Sequence, residues 1–331
     1  MGICAAIFLS RVLDQGKEAF REIIPPWGIN NLMDNAIVAI LGIIFAVSAY
    51  ALRSPESFRT IQAGNIHSNK AALLGASLLL AAALTHFISP TFFNWLTLED
   101  YLVEWSSALT LLAASLVTFL CLLNIRKTNA AKWHQLILLG MVGAFFVMGM
   151  EEISWMQRVF GVETPELFAD NNQKEMNLHN FASRYFNLML YMGGFTAFVL
   201  LPFAYDMKLK TLGFIRYFDL YIPGRYVAYM AAPLVASNYI GWSLIPIQLH
   251  TYFTLAILGV YAYIARKESR KDEALIVWLI VLACILSQTI FLFNTDYIRA
   301  QAPMEFKEFL IGFSCLVYAY ELKKKIKVYN G

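Results

Sequence analysis

The chain has 331 residues, of which 59% are apolar and only 15% are charged, and its formal net charge is +3. Soluble domains are about a quarter charged and less than half apolar. The composition therefore excludes an ordinary soluble domain, because too few polar side chains are present to cover a core of this size. The sequence has no basic arm, basic-aromatic stripe or zinc-ligand spacing, which argues against a nucleic-acid partner. We expect an integral membrane protein.

The first 26 residues predict an interfacial helix. Residues 1–10 are apolar but only about half the length of a membrane span. No small-residue cleavage site precedes Arg11, as a cleaved signal peptide would require. Residues 13–24 then mix charged and apolar side chains at roughly helical spacing, and Pro25 and Pro26 end the pattern.

Nine apolar segments follow, each near the length of about 18 residues that a helix needs to cross the hydrocarbon core. Lipid offers no partner for backbone groups, so we expect every segment to be helical. The sixth contains Pro233, Asn238 and Gly241 and could be broken or re-entrant. The prediction is one all-α integral membrane domain over residues 1–331, a polytopic bundle with spans near 36–52, 71–89, 103–123, 135–150, 181–205, 226–244, 249–265, 274–293 and 306–320.

The orientation follows from the distribution of lysine and arginine. Alternate connections and the C-terminal tail hold 18 of the 26 basic residues but only 7 of the 23 acidic ones. Basic connections stay in the cytoplasm. An odd number of spans fits this alternation, which predicts the N-terminus outside the cytoplasm and the C-terminus inside.

The most polar segment is the predicted outer connection at residues 151–180, EEISWMQRVFGVETPELFADNNQKEMNLHN. Two adjacent carboxylates at the mouth of a span are costly unless they are paired, hydrated or bound to a cation. If the fourth helix continues through this segment, Arg158 shares a face with Glu151 and is an available partner. Residues 164–166, Thr-Pro-Glu, are typical of a helix start.

Carboxylates and imidazole are the usual general acids and bases, so this segment predicts a site. We expect the catalytic residues to be Glu151, Glu152 and His179. The residues expected to position a substrate are Trp155, Gln157, Arg158, Glu175, Asn177 and Asn180.

Further acids and histidines fall near the other predicted outer ends of spans. Carboxylate and imidazole groups bind divalent metals, and the candidate ligands here are His86, His250, Asp296 and Glu305. The alternative is that outer loops are acidic simply because basic residues are retained inside, and that an acid such as Glu305 favours a helix N-terminus.

The blocks EEISW and QR at 151–158, ETPE at 163–166 and NLHN at 177–180 resemble the signature of a group of uncharacterised bacterial multi-pass inner-membrane proteins. Met156 stands where that group usually has glycine. The resemblance covers about thirty residues well and the rest by hydropathy. It implies a bacterial inner-membrane protein whose outer loop is the working part, and it implies no activity.

Three functions remain open. The first is a membrane-embedded enzyme with a site facing the periplasm, acting on a lipid or lipid-linked substrate. The second is a non-catalytic subunit or docking partner of a cell-envelope complex. The third is a cation-linked transporter or channel, against which the lack of an internal repeat and of charges deep in the spans weighs.

Overall fold

The computed structural model describes residues 2–16, 19, 29–53, 66–127, 132–168, 174–207, 218–237, 242–294, 297–299 and 301–329, and the regular elements in these ranges are helices. The α-helices are α1 (Gly2–Gln15), α2 (Ile29–Ala51), α3 (Ile66–Ile88), α4 (Pro90–Leu96), α5 (Leu102–Ile125), α6 (Lys132–Glu152), α7 (Gln157–Phe160), α8 (Ser183–Phe195), α9 (Leu201–Asp206), α10 (Arg225–Ala231), α11 (His250–Lys267), α12 (Lys271–Phe293) and α13 (Ala302–Tyr329).

Seven helical segments in the described ranges are long and apolar enough to cross a membrane: Leu32–Ala51, Ala71–Ile88, Leu102–Ile125, Lys132–Glu152, Tyr185–Asp206, Leu244–Lys267 and Lys271–Phe293. Large apolar side chains such as Ile43, Leu136 and Leu279 are exposed along them. A membrane protein presents such side chains to lipid. The chain is therefore a multi-pass helical membrane protein, as its composition predicts.

Two of the nine predicted spans differ from this set. The sixth is not a continuous helix: α10 has seven residues, a 3-10 turn follows at Ala232–Val235, and Ser237 has a left-handed φ of 70°. The ninth lies within α13, whose 28 residues begin before and end after the predicted segment. Of the N-terminal helix predicted over residues 1–26, the structure shows α1 at Gly2–Gln15, and Pro25 and Pro26, which were expected to end it, lie outside the described residues.

The chain divides into two compact units. The first comprises residues 1–94 and 191–307, in which α11 packs on α2 and α12, and α3 packs on α12 and α10. Small residues permit these close approaches. A Cβ at Gly75 in α3 would lie 2.8 Å from the carbonyl oxygen of Met230 in α10, closer than such atoms can approach. Residues 227–237, around the interrupted segment, are buried.

The second unit comprises residues 95–190 and 308–331. Its core is the antiparallel pair α5 and α6, in which Ser115 Oγ donates to the carbonyl of Val142 at 2.9 Å. Gly149 lies against α5, and Gly312 of α13 lies against α5 near Thr110. The predicted outer loop belongs to this unit and begins where α6 ends.

Candidate functional site

The loop begins with a break in the fourth span. The prediction that α6 continues into the loop is wrong, because the helix ends at Glu152. Ser154, Trp155 and Met156 then have φ of 45°, 55° and 64°. Three successive non-glycine residues in the left-handed region cost about 1–2 kcal/mol each. The break turns the chain back before α7 forms a single turn, so contacts elsewhere in the fold must stabilise it.

Gln157, directly after the left-handed turn, supplies three of these contacts. Its amide nitrogen donates to the carbonyl of Val162 at 3.1 Å and to Thr164 Oγ1 at 2.8 Å. Its amide oxygen accepts from the backbone N–H of Met176 at 2.7 Å. Gln157 is buried, and these contacts link residues 162–164 of the loop to residue 176. It was predicted to position substrate, and its contacts give it a structural task.

The predicted helix start at residues 164–166 is confirmed only as one 3-10 turn, Glu166–Phe168. Thr164 was expected to cap it. Its hydroxyl instead donates across the loop to the carbonyl of Lys174 at 2.7 Å.

Ser154 and Glu175 form the buried floor of the loop. Ser154 Oγ donates to the Glu175 carboxylate. Asn177 Nδ2 lies 3.1 Å from Ser154 Oγ and 3.3 Å from Glu175 Oε2. All three residues are less than a tenth exposed. A buried carboxylate needs such donors, because burial without partners disfavours its charge.

Arg158 provides the opposite charge to Glu175. Its guanidinium pairs with Glu175 and Asp100, and it lies 3.3 Å from Glu99 Oε2. Burial opposes the charge of Arg158, but its hydrogen bond with Asp100 and the negative charge of Glu175 raise its pKa above the ordinary arginine value. The predicted pairing of Arg158 with Glu151 is replaced by this group of three carboxylates.

Glu151 is held by the other side of the loop. Its Oε1 accepts from Trp155 Nε1 at 2.7 Å, and its Oε2 accepts from the backbone N–H of Leu178 at 2.6 Å and of His179 at 3.0 Å. The same Oε2 lies 3.4 Å from Nδ1 of His179. The carboxylate thus fixes the backbone and the ring of His179 together.

The remaining predicted loop residues lie near this pair. Glu152 is half-buried, and Trp155 is exposed beside Phe146, with ring centroids 6.3 Å apart. Asn180 is buried, and Ser183 Oγ lies 3.5 Å from its Oδ1. Of the three predicted catalytic residues, the structure directly pairs Glu151 and His179.

The predicted metal ligands are placed differently. His86 stacks on Tyr297 with centroids 4.1 Å apart, and His250 stacks on Phe195 at 4.3 Å. Glu305 lies 3.3 Å from Arg299. Asp296 lies outside the described residues. Within the ranges that the structure describes, no group of three or more His, Cys, Asp or Glu residues could hold a metal ion.

Sequence reasoning counted Glu99 and Asp100 among the acids at the predicted outer ends of spans, but it did not pair them with Arg158, which lies almost 60 residues away. The available signal was their charge: two adjacent acids at a predicted outer end require a cation. The only basic residues in the predicted outer loop 151–180 are Arg158 and Lys174.

Comparison of the chain with known protein families, curated proteins and solved structures gives no match in any of the three. The loop resemblance therefore stays a prediction, and the function has to be argued from the geometry of the loop.

Proposed function

We propose that the protein is a membrane-embedded enzyme that uses His179, oriented by Glu151, as a general base toward a lipid or lipid-linked substrate. The observation that supports this is the position of the Glu151 carboxylate, 3.4 Å from Nδ1 of His179 and within hydrogen-bond distance of the backbone N–H of the same residue. A carboxylate at Nδ1 favours the tautomer that carries its proton there, which leaves the Nε2 lone pair available.

The exposure of His179 suits this role. Its side chain keeps 31% of its surface exposed, whereas that of Glu151 keeps 12%. The imidazole can therefore meet a substrate while the carboxylate remains covered. Catalytic hydrogen bonds are often long before substrate binds, so 3.4 Å is compatible with a working pair.

The chemistry that fits is hydrolysis of an ester or phosphoester. Nε2 takes a proton from water as the water oxygen forms its bond to the carbonyl carbon or phosphorus. The bond to the leaving oxygen then breaks, and that oxygen takes the proton from the imidazolium. Glu151 stays ionised and stabilises the imidazolium, as the carboxylate does in other carboxylate–histidine pairs.

This assignment changes two predicted roles. Glu151 becomes a positioning residue, because its two oxygens already face three donors and the His179 ring. Arg158 becomes structural, because three carboxylates share its charge and leave little for an anionic substrate.

The proposed setting is the bacterial inner membrane, with nine spans, the loop in the periplasm and the C-terminus in the cytoplasm. The sorting of basic residues to alternate connections supports the orientation, and the loop resemblance supports the bacterial inner membrane. Labelling of single cysteines at positions 166 and 268 with an impermeant reagent in intact cells tests it. We expect reaction at 166 only, and reaction at 268 only would reverse the orientation.

The enzymatic proposal is tested by envelope lipid analysis in cells that overproduce the wild-type protein, His179→Gln, Glu151→Gln or Glu166→Gln. Glu166 is an exposed carboxylate of the same loop and serves as the matched control. We expect a lipid change with the wild type and the control that is absent with His179→Gln and reduced with Glu151→Gln. Identical lipid profiles for wild type and His179→Gln, at equal protein levels, would refute the proposal.

A second candidate, a cation-linked transporter, is favoured by the interrupted segment at residues 225–237. Non-helical backbone at membrane depth is found where it is buried in protein or lines a cavity, and broken helices form ion sites in transporters. The buried hydroxyls of Ser237, Thr254 and Ser287 make no hydrogen bond within the described part of the chain. Sodium or potassium flux in proteoliposomes that is lost in Ser237→Ala and Thr254→Val would support transport, and absence of flux would exclude it.

A further inference from the structure

The loop that carries His179 contains large apolar side chains that are unusually exposed. Phe160 and Leu167 are 73% and 77% exposed, more than most apolar residues of the spans. Val159, Val162 and Leu178 of the loop are also exposed, as is Phe181 directly after it. Exposed apolar side chains concentrated in one segment favour contact with another apolar phase or molecule.

Part of this surface directly precedes the fifth span in the sequence. Met189 and Tyr185, in the first half of α8, are exposed and one helical turn apart. Phe181 and Leu178 are also exposed and come before α8, from which Ala182, whose backbone is not helical, separates them. We call these four exposed residues, which lead along the chain from the loop into the span, the apolar row.

The turn at residues 166–168 lies beside the apolar row. The ring of Phe168 lies 5.7 Å from that of Phe181, which brings the turn Glu166–Phe168, and with it Leu167, beside the row. His179 follows Leu178 directly. The general base therefore lies at the boundary between the apolar row and the polar floor of the loop.

We propose that this apolar surface of the loop, formed by Phe160, Leu167, Leu178 and Phe181, is inserted in the headgroup and upper acyl region of the adjacent leaflet. The occupant is the bilayer, because Leu178 and Phe181 directly precede exposed apolar residues at the start of the fifth span. Aromatic and aliphatic side chains lie at this depth in interfacial segments.

The inference deepens the proposed function and rests on it for the role of His179. An inserted loop holds the Nε2 atom near the level of the ester and phosphate groups of a bilayer lipid. The substrate class would then be a lipid that stays in its leaflet, and a water-soluble substrate would have to approach through headgroups.

Nitroxide labels read this depth directly. The full chain, with Cys4→Ser, would carry a label at Phe160→Cys or Leu167→Cys and be reconstituted in liposomes of phosphatidylethanolamine and phosphatidylglycerol. The described native cysteines are buried and compete little for the reagent. Matched controls are Glu163→Cys and Lys174→Cys, exposed polar positions of the same loop.

We expect the labels at 160 and 167 to collide more with oxygen, which concentrates in lipid, than with a water-soluble nickel chelate. The labels at 163 and 174 should show the reverse order. Chelate accessibility at 160 and 167 equal to that at 163 would overturn the proposal. Protection of 160 and 167 from both reagents would also overturn it and would indicate a protein partner on this surface.

The measurement is independent of catalysis. Insertion of the labels without any lipid conversion would refute the enzymatic proposal and support insertion of the loop. Conversion of lipid by a protein whose labels remain in water would support the enzymatic proposal and refute insertion of the loop.

Discussion

Removal of the Arg158 guanidinium should destabilise the protein more than removal of an ordinary surface arginine. Arg158→Gln leaves three carboxylates without their common cation, of which Glu175 has a side chain only 10% exposed. Glu99 and Asp100 are 43% and 38% exposed, so solvent screens them and each pair is worth about 0.2–1 kcal/mol. Leaving the buried charge unpaired costs about 2–3 kcal/mol, below the 3–5 kcal/mol of a fully buried pair because Arg158 is partly exposed.

The sum is about 2–5 kcal/mol, which corresponds to a fall of roughly 3–7 °C in the unfolding midpoint for a chain of 331 residues. Thermal unfolding of the purified protein in one detergent, followed by intrinsic fluorescence, measures it. Arg126→Gln is the matched control, since Arg126 is an exposed arginine at the C-terminal end of α5. We expect the control to lose less than about 1 kcal/mol.

The double variant Arg158→Gln/Glu175→Gln separates charge from packing. Removing both partners leaves no uncompensated buried charge, so it should recover at least about 1 kcal/mol relative to the sum of the single losses. Strict additivity, or an Arg158→Gln loss equal to that of Arg126→Gln, would refute the reasoning.

Further predictions concern the turn, the span contacts and pH. Met156→Gly should stabilise the protein by about 0.5–1 kcal/mol in thermal unfolding, because relief of the left-handed φ exceeds the added chain entropy; a loss of stability would argue against the turn. Gly75→Ala should lower the free energy of unfolding by about 1–3 kcal/mol, because its methyl group overpacks against Met230. Gly140→Ala is the control and should be neutral or stabilising, because the space around its Cβ position is open. Equal effects of the two substitutions would contradict the α3–α10 contact. Because the pKa of Arg158 is raised, its contribution to stability is complete below the pKa of an unfolded arginine, falls as the pH rises from there, and is fully lost above the folded value. The midpoint loss in Arg158→Gln should therefore be the same at about pH 7 and pH 9, and a loss that fades toward pH 9 would contradict this.

The positions of most spans could be predicted, because a run of apolar residues long enough to cross lipid has few alternatives to a helix. The weak sixth segment was also anticipated from Pro233, and the structure interrupts the helix there. The ends of α13 could not be predicted from hydropathy, because its last turns are rich in lysine and still helical.

The loop was harder to predict, and for a physical reason. A left-handed turn at Ser154–Met156 opposes local preference, and it persists through contacts with residues about twenty positions away, such as Glu175. The partners of Arg158 are farther still in sequence. Trp155, four residues after Glu151, donates its indole N–H to that carboxylate across the break, a contact that needs no continuous helix.

The most direct test of the account is the rate at which the purified protein, reconstituted in liposomes, converts lipid, measured by mass spectrometry for wild type and His179→Gln. We predict that His179→Gln is slower by about 10²–10⁴-fold, the usual contribution of a positioned general base. We expect Glu166→Gln to retain the wild-type rate. Conversion by His179→Gln at the wild-type rate would contradict the account.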